Sequence, residues 1–271
     1  MILYGAPVRE KIKADLIEKI KKLGIEPCLA IVQVGGREDS DIYIRQKQKF
    51  GDEIGVEVRL ERFKDGKTER LIEEIKKLNR DENVNGIIVQ LPLPEGLDSE
   101  KILKNILPEK DADGLTSPDF PSPDQGEGGR RAGGVIPATA RAVMALLDFY
   151  KISVKDKKVA VIGRSKLAGG PIARIMKERG GEVTVCHRST ENMAQVCREA
   201  DILISAAGKA GLVTKEFVKS GQVVVDVGIN RTSPLASRSP LLVQEREGAR
   251  GGVLVGDVNF DEVEPIVSAI T

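Results

Sequence analysis

Tyr43 and Lys47 lie four residues apart in a charged, glutamine-rich stretch, residues 39–50, that holds few apolar side chains. On a helix, side chains four residues apart share a face, so this ring and this amine can point at one ligand. A lysine whose pKa is lowered toward neutrality can act as a general acid or base. The alternative is an ordinary solvated helix, with Tyr43 as a core aromatic whose hydroxyl reaches the surface.

Polar residues also follow an apolar run in the first half of the chain. Gln90 comes directly after Ile87-Ile88-Val89, and a buried amide costs a few kcal/mol unless it is hydrogen-bonded. Asp111 and Asp113 precede a glycine in "PEKDADGL", residues 108–115. Taken singly, Gln90 can be a satisfied core amide, and Asp-Gly is a common turn pair. Together with Tyr43 and Lys47, Gln90 and the loop toward Asp113 can supply a ring, an amine, an amide and a carboxylate to one flat polar heterocycle at the carboxyl ends of parallel strands.

Alternating strands and helices must position these side chains. Strand-like apolar runs cover residues 28–34, 56–63 and 86–93. Helices are predicted over residues 8–23, 39–50, 68–79 (with Thr68 as its cap) and 98–107. This alternation predicts an α/β fold with a mostly parallel sheet.

A second βα series follows a Pro- and Gly-rich stretch, residues 118–134, which we interpret as a linker or loop. Its predicted strands are residues 157–163, 182–187, 201–208 and 222–229, and its predicted helices are residues 139–150, 169–180, 191–199 and 214–220. We therefore predict two domains. Residues 1–117 form an N-terminal α/β catalytic domain, residues 118–138 a linker, and residues 139–271 a Rossmann-like, doubly wound domain. Residues 231–252, rich in Gly, Arg and Ser, receive no element.

The segment "GRSKLAGGP", residues 163–171, lies between a predicted strand and a predicted helix. Glycines there let the backbone approach a pyrophosphate, and the helix start offers free N–H groups. The match to the usual pattern is imperfect, because Ser165 replaces the second glycine and Ala168 precedes Gly169 and Gly170. A tight turn without a ligand is the alternative interpretation.

The end of the next predicted strand indicates which dinucleotide is bound. An NAD site normally has an acidic residue there for the ribose 2′-hydroxyl, but this chain has His187-Arg188-Ser189-Thr190. The planar guanidinium of Arg188 can donate two parallel N–H bonds to a 2′-phosphate, and Arg164 can add a second cation. The sequence thus favours NADP over NAD, unless both arginines are ordinary surface residues.

Composition excludes several other classes of function. The chain has 42 basic and 41 acidic side chains, a net charge of +1, which gives no reason to expect nucleic acid or a membrane as partner. No apolar run approaches the ~18 residues of a membrane span. The three cysteines lack metal-ligand spacing, the single histidine excludes a multi-histidine metal site, and Cys28 and Cys186 lie in apolar runs. We predict buried thiols, no metal and a cytoplasmic location.

Six motifs occur in order along the chain: "YIRQK", "GIIVQLPLP", "PEKDADGL", "VIGRS…GGP", "VVVDVGIN" and "VGDV". Together, over residues 1–271, they resemble the bifunctional methylenetetrahydrofolate dehydrogenase/methenyltetrahydrofolate cyclohydrolase family. The resemblance implies an NADP-dependent oxidation of 5,10-methylenetetrahydrofolate, followed by hydrolysis to 10-formyltetrahydrofolate, in one-carbon metabolism and purine biosynthesis. It also implies a homodimer, with the folate cleft between the two domains.

The resemblance further implies roles for individual residues. Tyr43 stacks on the folate ring system, Lys47 is the general acid/base of the cyclohydrolase step, Gln90 positions Lys47 and tunes its pKa, and Asp113 binds the pterin. In the second domain the implied cofactor contacts are Gly163, Arg164 and Ser165 at the phosphates, Arg188 at the 2′-phosphate, and Ile229 at the nicotinamide.

The chain departs from the family pattern in three segments. Family members continue past the equivalent of Thr271 with a Pro- and Gly-rich loop and a helix, so we expect a truncated, weakly active chain. Residues 118–134 lack the usual Asn-containing stretch, Ala140 replaces a proline, and residues 231–250 exceed the expected short hairpin. Three alternatives stay open: a dehydrogenase alone, a folate- or NADP-binding relative without catalysis, and an oxidoreductase of the shikimate dehydrogenase type.

Overall fold

A computed structural model describes residues 1–116, 135–232 and 253–271 of the protein. These residues form two compact units. The N-terminal unit contains residues 6–116 and 135–138, and the C-terminal unit contains the remaining described residues. The predictions for residues 118–134 and for residues 233–252 lie outside the described part of the chain.

The N-terminal unit is built on a three-stranded parallel sheet. Its elements are α1 (Gly5–Leu23), β1 (Cys28–Val34), α2 (Glu38–Ile54), β2 (Glu57–Phe63), α3 (Thr68–Arg80), β3 (Gly86–Val89), α4 (Ser99–Leu103) and a 3₁₀ turn (Pro108–Lys110). The strand order is β2-β1-β3, and both pairs are parallel. The central strand β1 is almost wholly buried, which is why it reads as a continuous run of apolar residues.

Successive side chains of β1 point to opposite faces of this sheet. One face packs on α3, through a cluster that includes Ala30, Val32, Val34, Leu71 and Ile75. The other face packs on α2, through Ile31, Ile44 and Ile88. On this second face, Gln33 follows Ile31 in β1, and Gln90 follows Ile88 just after β3. Two amides therefore replace apolar side chains at the carboxyl ends of these strands.

The C-terminal unit is built on a five-stranded parallel sheet. Its elements are α5 (Ala138–Phe149), β4 (Lys158–Ile162), α6 (Gly169–Glu178), β5 (Glu182–Cys186), α7 (Met193–Glu199), β6 (Ile202–Ser205), a 3₁₀ turn (Lys215–Phe217), β7 (Val223–Asp226), β8 (Asn230–Thr232), β9 (Val253–Val255), α8 (Phe260–Val263) and β10 (Ala269–Ile270). The order is β10-β7-β6-β4-β5, and β8 pairs with β9 separately in an antiparallel ladder.

This strand order has a switch point beside β4, because the chain first crosses to β5 and then returns to β6 on the other side of β4. Ligands of open α/β sheets bind at such a point, outside the carboxyl ends of the strands. The predicted fold class, two α/β domains with the second doubly wound, is confirmed. The first residues of the chain also join this unit: Leu3 donates to the Ile270 carbonyl over 2.7 Å, and the Met1 ammonium donates to the Ser268 carbonyl over 2.9 Å.

Two predictions around the first sheet were wrong in detail. The strand predicted over residues 86–93 ends at Val89, because Pro92 and Pro94 have no N–H to give to a ladder. Thr68 does not cap α3. It is the first helical residue, and its hydroxyl instead accepts the Asp98 N–H over 3.2 Å.

Two predicted helices are shorter than expected. The helix predicted over residues 98–107 ends at Leu103, where the Asn79 side chain binds the Asn105 carbonyl and the Leu107 N–H in place of helical partners. The helix predicted over residues 214–220 is only the 3₁₀ turn. Directly before this turn, the Val213 N–H donates to the Asp257 carbonyl over 3.0 Å and the Val213 carbonyl accepts the Asn259 N–H over 2.9 Å. These extended contacts leave the backbone groups of Val213 unavailable to an α-helix.

Cys28, Cys186 and Cys197 are free and buried in the structure. Among the described residues, no helix combines the length and apolar character needed to cross a membrane. Within the same residues, no group of three or more His, Cys, Asp or Glu side chains could hold a metal ion.

Candidate active site

Lys47 on α2 is held by Gln90, which follows β3. The Lys47 Nζ donates to the Gln90 Oε1 over 3.1 Å. Gln90 is itself fixed twice, because its Nε2 donates to the Leu91 carbonyl over 3.0 Å and its backbone N–H donates to the Val32 carbonyl over 2.9 Å. The amide therefore presents its oxygen to the amine. Gln90 has the polar partners that its place after an apolar run predicted.

Burial lowers the pKa of the Lys47 amine below its ordinary value, and the Asp113 carboxylate partly opposes this shift. A lowered pKa increases the fraction of neutral amine near physiological pH, and a neutral amine can accept a proton. Tyr43, one helical turn earlier, is partly buried and lies on the same face of α2. The structure thus brings Tyr43, Lys47, Gln90 and Asp113 to one edge of the N-terminal unit.

The two aspartates of "KDADGL" have different environments. Asp111 is 4% exposed, and its carboxylate accepts the N–H groups of Gly114 and Thr116 and the Thr116 hydroxyl, each over 2.8 Å. Gly114 has a φ of +71°, and a Cβ there would lie 2.5 Å from the Val135 carbonyl oxygen. Asp111 therefore builds the loop, while Asp113 is less buried and close enough to influence the pKa of Lys47.

We expect Asp111→Ala to lower the free energy of unfolding by about 1–3 kcal/mol, because it leaves the N–H groups of Gly114 and Thr116 without their acceptor. Urea titration measures this change. Asp52→Ala, at an exposed position of the same unit, should change stability by only about 0.5 kcal/mol or less. Equal effects of the two substitutions would contradict the role given to Asp111.

A second polar contact on the same face of the sheet was missed by the sequence interpretation. The Gln33 Nε2 donates to the Asp41 Oδ1 over 2.8 Å, and the Arg62 guanidinium donates to the same oxygen over 2.9 Å. Gln33 is 1% exposed, and its Oε1 has no hydrogen-bond partner among the described residues. These contacts fix the start of α2 to β1 and β2. The available signal was Gln33 inside the apolar run "CLAIVQV", the same signal that singled out Gln90.

The loop after β4 has the backbone geometry of a phosphate-binding turn. Gly163 has a φ of +109°, and a Cβ there would overlap the Ala206 carbonyl. A Cβ on Gly169, the first residue of α6, would overlap the Gly163 carbonyl. Two of the three glycine roles of a dinucleotide loop, the tight turn and the close helix–strand approach, are therefore filled. The third position is Ser165, whose hydroxyl accepts the Ala168 N–H over 3.2 Å.

Arg188 lies exposed in a short turn after β5, which neighbours β4. The turn is closed by three bonds: Thr190 N–H to the His187 carbonyl over 2.7 Å, His187 N–H to the Thr190 hydroxyl over 2.9 Å, and Ser189 N–H to the His187 Nδ1 over 3.3 Å. Gly163, Arg164, Ser165 and Arg188 thus lie at the carboxyl ends of two adjacent strands. Ile229 follows β7 on the same sheet and is 65% exposed.

The two units define a class of protein. A doubly wound sheet with a glycine-dependent phosphate turn is a nucleotide-binding unit, and the N-terminal unit adds a fixed, partly buried amine beside a carboxylate. The residues present fit a dinucleotide: the close turn between β4 and α6 requires glycine at Gly163 and Gly169, and Arg188 lies in the turn after the adjacent strand. The class is a nucleotide-dependent α/β enzyme of two domains.

The chain belongs to the tetrahydrofolate dehydrogenase/cyclohydrolase family. Residues 3–113 match the family's catalytic domain, and residues 137–271 match its NAD(P)-binding domain. The bifunctional protein FolD 2 of Lactobacillus johnsonii is 39% identical over 274 residues, which cover 100% of this chain and 89% of that protein.

Solved structures agree with this assignment. The bifunctional dehydrogenase/cyclohydrolase of Campylobacter jejuni is 34% identical, with a TM-score of 0.85 over 100% of this chain and 90% of that one. The Trypanosoma brucei enzyme, solved with NADP and an inhibitor, is 32% identical, with a TM-score of 0.86 over 100% and 89%. The resemblance stated from the six motifs is confirmed. The alternatives of a dehydrogenase alone, a binding protein without catalysis and another oxidoreductase are not favoured.

Proposed function

We propose that this protein oxidises 5,10-methylenetetrahydrofolate with NADP and hydrolyses the resulting methenyl compound to 10-formyltetrahydrofolate. Membership of a dehydrogenase/cyclohydrolase family supports both reactions. The observation that carries the proposal is the Lys47–Gln90 contact, which holds a partly buried amine of lowered pKa at a ligand edge of the N-terminal sheet. A dehydrogenase alone would have no use for such an amine.

The oxidation depends mainly on positioning. The cofactor supplies the hydride acceptor when it is bound, so the protein must hold the reacting atoms of substrate and cofactor close together and correctly oriented. We assign the cofactor phosphates to Gly163, Arg164 and Ser165, and the face of the nicotinamide to Ile229. Tyr43 and Asp113 are assigned to the folate, as a stacking ring and a hydrogen-bonding carboxylate.

The hydrolysis needs a water molecule and a proton acceptor, and we assign the second role to Lys47. As a neutral amine it takes a proton from the water that attacks the methenyl carbon, which leaves a hydroxyl group on that carbon. It gives this proton to the ring nitrogen as the ring C–N bond breaks, and the hydroxyl proton passes to solvent as the formyl C=O forms. Gln90 keeps the amine in place during this exchange. The only histidine, His187, lies in the other unit beside Arg188, so Lys47 is the available base in the N-terminal unit.

Broader assignments follow from the family resemblance. We propose that residues 1–117 bind folate and residues 139–271 bind NADP. We also propose a cytoplasmic homodimer whose product supplies one-carbon units to purine biosynthesis. Light scattering coupled to gel filtration tests the assembly, and a monomeric mass across micromolar concentrations would contradict it.

A single spectrophotometric assay with methylenetetrahydrofolate and NADP tests the function. NADPH formation and the methenyl chromophore are followed separately, so each reaction has its own signal. We expect NADPH to accumulate while the methenyl signal stays low, because hydrolysis removes that species. Absence of both signals in a protein that still binds NADP would contradict the proposal.

Arg188→Ala is expected to weaken NADP binding by roughly 10–100-fold, since a charge-assisted bond contributes about 1.5–3 kcal/mol. Binding of NAD, which lacks the 2′-phosphate, should change little. Calorimetric titration with both cofactors measures the difference, and Arg198→Ala, an exposed arginine of α7, is the matched control. An equal loss of affinity for NADP and for NAD would show that Arg188 does not bind the 2′-phosphate.

A further inference from the structure

Asp257, in the motif "VGDV", is fully buried and accepts five hydrogen bonds. The donors to its Oδ2 are the Ser205 hydroxyl at 3.0 Å, the Ala207 N–H at 2.7 Å and the Gly208 N–H at 3.2 Å; the donors to its Oδ1 are the Lys209 N–H at 2.8 Å and the Asn230 side-chain amide at 2.9 Å. The Asp257 carboxylate therefore links the loop after β6 to the loop after β7 by hydrogen bonds.

Asp226, the last residue of β7, extends this network. Its Oδ1 accepts the N–H groups of Gly228 over 2.8 Å and of Asp257 over 3.0 Å, and its Oδ2 accepts the Val258 N–H over 2.9 Å. Asp226 thus holds the segment that carries Asp257, and it also closes the turn that begins the loop after β7. The two aspartates join three chain segments at the carboxyl edge of one sheet.

Two glycines make this arrangement sterically feasible. A Cβ on Gly228 would overlap the Asp257 carboxylate, and a Cβ on Gly256 would overlap the Asp226 carboxylate. The Asp257 carboxylate therefore packs against Gly228, which is two residues from Asp226. The Asp226 carboxylate packs against Gly256, which directly precedes Asp257. The same steric requirement, room for a carboxylate, explains why glycine occurs in both "VVVDVGIN" and "VGDV".

The network lies beside the proposed cofactor site. Ala206, at the start of the loop that Asp257 holds, is the residue against which Gly163 of the phosphate turn packs. Ile229, assigned to the nicotinamide, lies between Gly228, bound by Asp226, and Asn230, bound by Asp257. The two loops thus continue from the phosphate turn toward the reactive end of the cofactor.

We propose that Asp257, supported by Asp226, is a positioning residue that fixes residues 206–209 and 227–230 and thereby sets the location of the nicotinamide ring. The inference rests on the proposed function. It predicts a larger effect on hydride transfer than on cofactor affinity, because the hydrogen bonds of the two aspartates go to the loops after β6 and β7 and to residues 257–258 rather than to the phosphate turn or Arg188. A fully connected polar network of this kind specifies one geometry for the loops that it joins.

Asp257→Asn tests the proposal, because it keeps the shape of the side chain but sets an NH₂ group against N–H donors. We expect kcat for NADPH formation to fall about 10–100-fold, as for a small misplacement of reacting atoms. The NADP dissociation constant should change by less than about 3-fold, and methenyl hydrolysis should be unaffected. In the cofactor-free protein, hydrogen exchange at Ala207, Gly208 and Lys209 should accelerate.

Asp201→Asn is the matched control. Asp201 also accepts a backbone N–H, from Lys158 over 2.9 Å, but at the amino end of the same sheet. It should lower stability without lowering kcat. Equal kcat losses for the two variants would show a general packing effect and overturn the positioning role, and so would an unchanged kcat for Asp257→Asn.

Asn230→Ala keeps the proposal testable if Asp257→Asn does not fold, since it removes only the link to the loop after β7. We expect a kcat loss of roughly 3–10-fold with unchanged NADP affinity, and an unchanged kcat would overturn the proposal. Failure of the proposed function looks different, because the unmodified protein would then form no NADPH at all.

Discussion

Replacing Lys47 by methionine should reduce methenyl hydrolysis by about 10²–10⁴-fold, the usual contribution of a general acid or base. Methionine is similar in length to the lysine stem and apolar, so it fills the same partly buried space without a proton to exchange. The phosphate turn lies in the other unit, and NADP affinity should therefore be unchanged. The measurement is decay of the methenyl chromophore, with NADP binding followed separately by calorimetry.

The pH dependence of hydrolysis gives a second readout of this substitution. The unmodified protein should become more active as rising pH removes the Lys47 proton, and the variant should lose that rise. Because the pKa of Lys47 is lowered by burial, the folded state binds the proton less tightly than the unfolded chain does. Protonated Lys47 therefore costs stability below its folded pKa, and that cost disappears as pH rises toward the unfolded pKa. Lys47→Met should accordingly not destabilise the fold at neutral pH.

Lys49→Met is the matched control, because Lys49 is two residues further along α2 and exposed. It removes the same charge from the same helix and should leave hydrolysis within about 2-fold of the unmodified rate, as expected for a surface change. Unchanged hydrolysis in Lys47→Met, or equal losses in both variants, would exclude Lys47 as the base.

Gly163→Ala should nearly abolish NADP-dependent oxidation, with a loss of roughly 100-fold or more in kcat/KM. Two effects combine. A φ of +109° strains any residue with a Cβ, at a cost of about 1–3 kcal/mol, and the new methyl group would overlap the Ala206 carbonyl. The turn must open to relieve both, and its backbone then leaves the position that a pyrophosphate requires. Calorimetric titration with NADP and thermal unfolding measure binding and stability separately.

Gly221→Ala separates the two effects. Gly221 has a φ of +82°, but nothing lies within 4 Å of a Cβ placed there. This control carries the backbone strain without the collision, so it should lose stability while keeping NADP affinity. If Gly163→Ala bound NADP as tightly as Gly221→Ala, the loop after β4 would not be the phosphate site.

The sequence predicted the parts of the site that depend on local pattern. Gln90 was singled out because an amide after three apolar residues needs partners, and the structure supplies Lys47 and the Leu91 carbonyl. The four-residue spacing of Tyr43 and Lys47 placed both on one face of α2. Strand-then-glycine patterns located the turn between β4 and α6, since such turns follow from short-range chain geometry.

Other parts could not be predicted, because they depend on contacts between distant segments. Residue type and spacing do not distinguish Asp111 from Asp113, and only the family resemblance singled out Asp113. The folded loop adds that the Asp111 carboxylate accepts the N–H groups of Gly114 and Thr116. Asp226 and Asp257 are 31 residues apart, so no local periodicity links them. The lengths of the segments at residues 98–107 and 214–220 were likewise decided by tertiary partners rather than by helical spacing.

The hydrogen bonds of the first residues with Ser268 and Ile270 set an order for folding. The Met1 contact spans 267 positions, whereas the strands of the N-terminal unit pair within residues 28–89. During synthesis the three-stranded sheet can close while the ribosome still holds most of the second half. The amino-terminal residues must stay unpaired until residues 268–270 emerge, so the edge formed by β10 is completed after the three-stranded sheet.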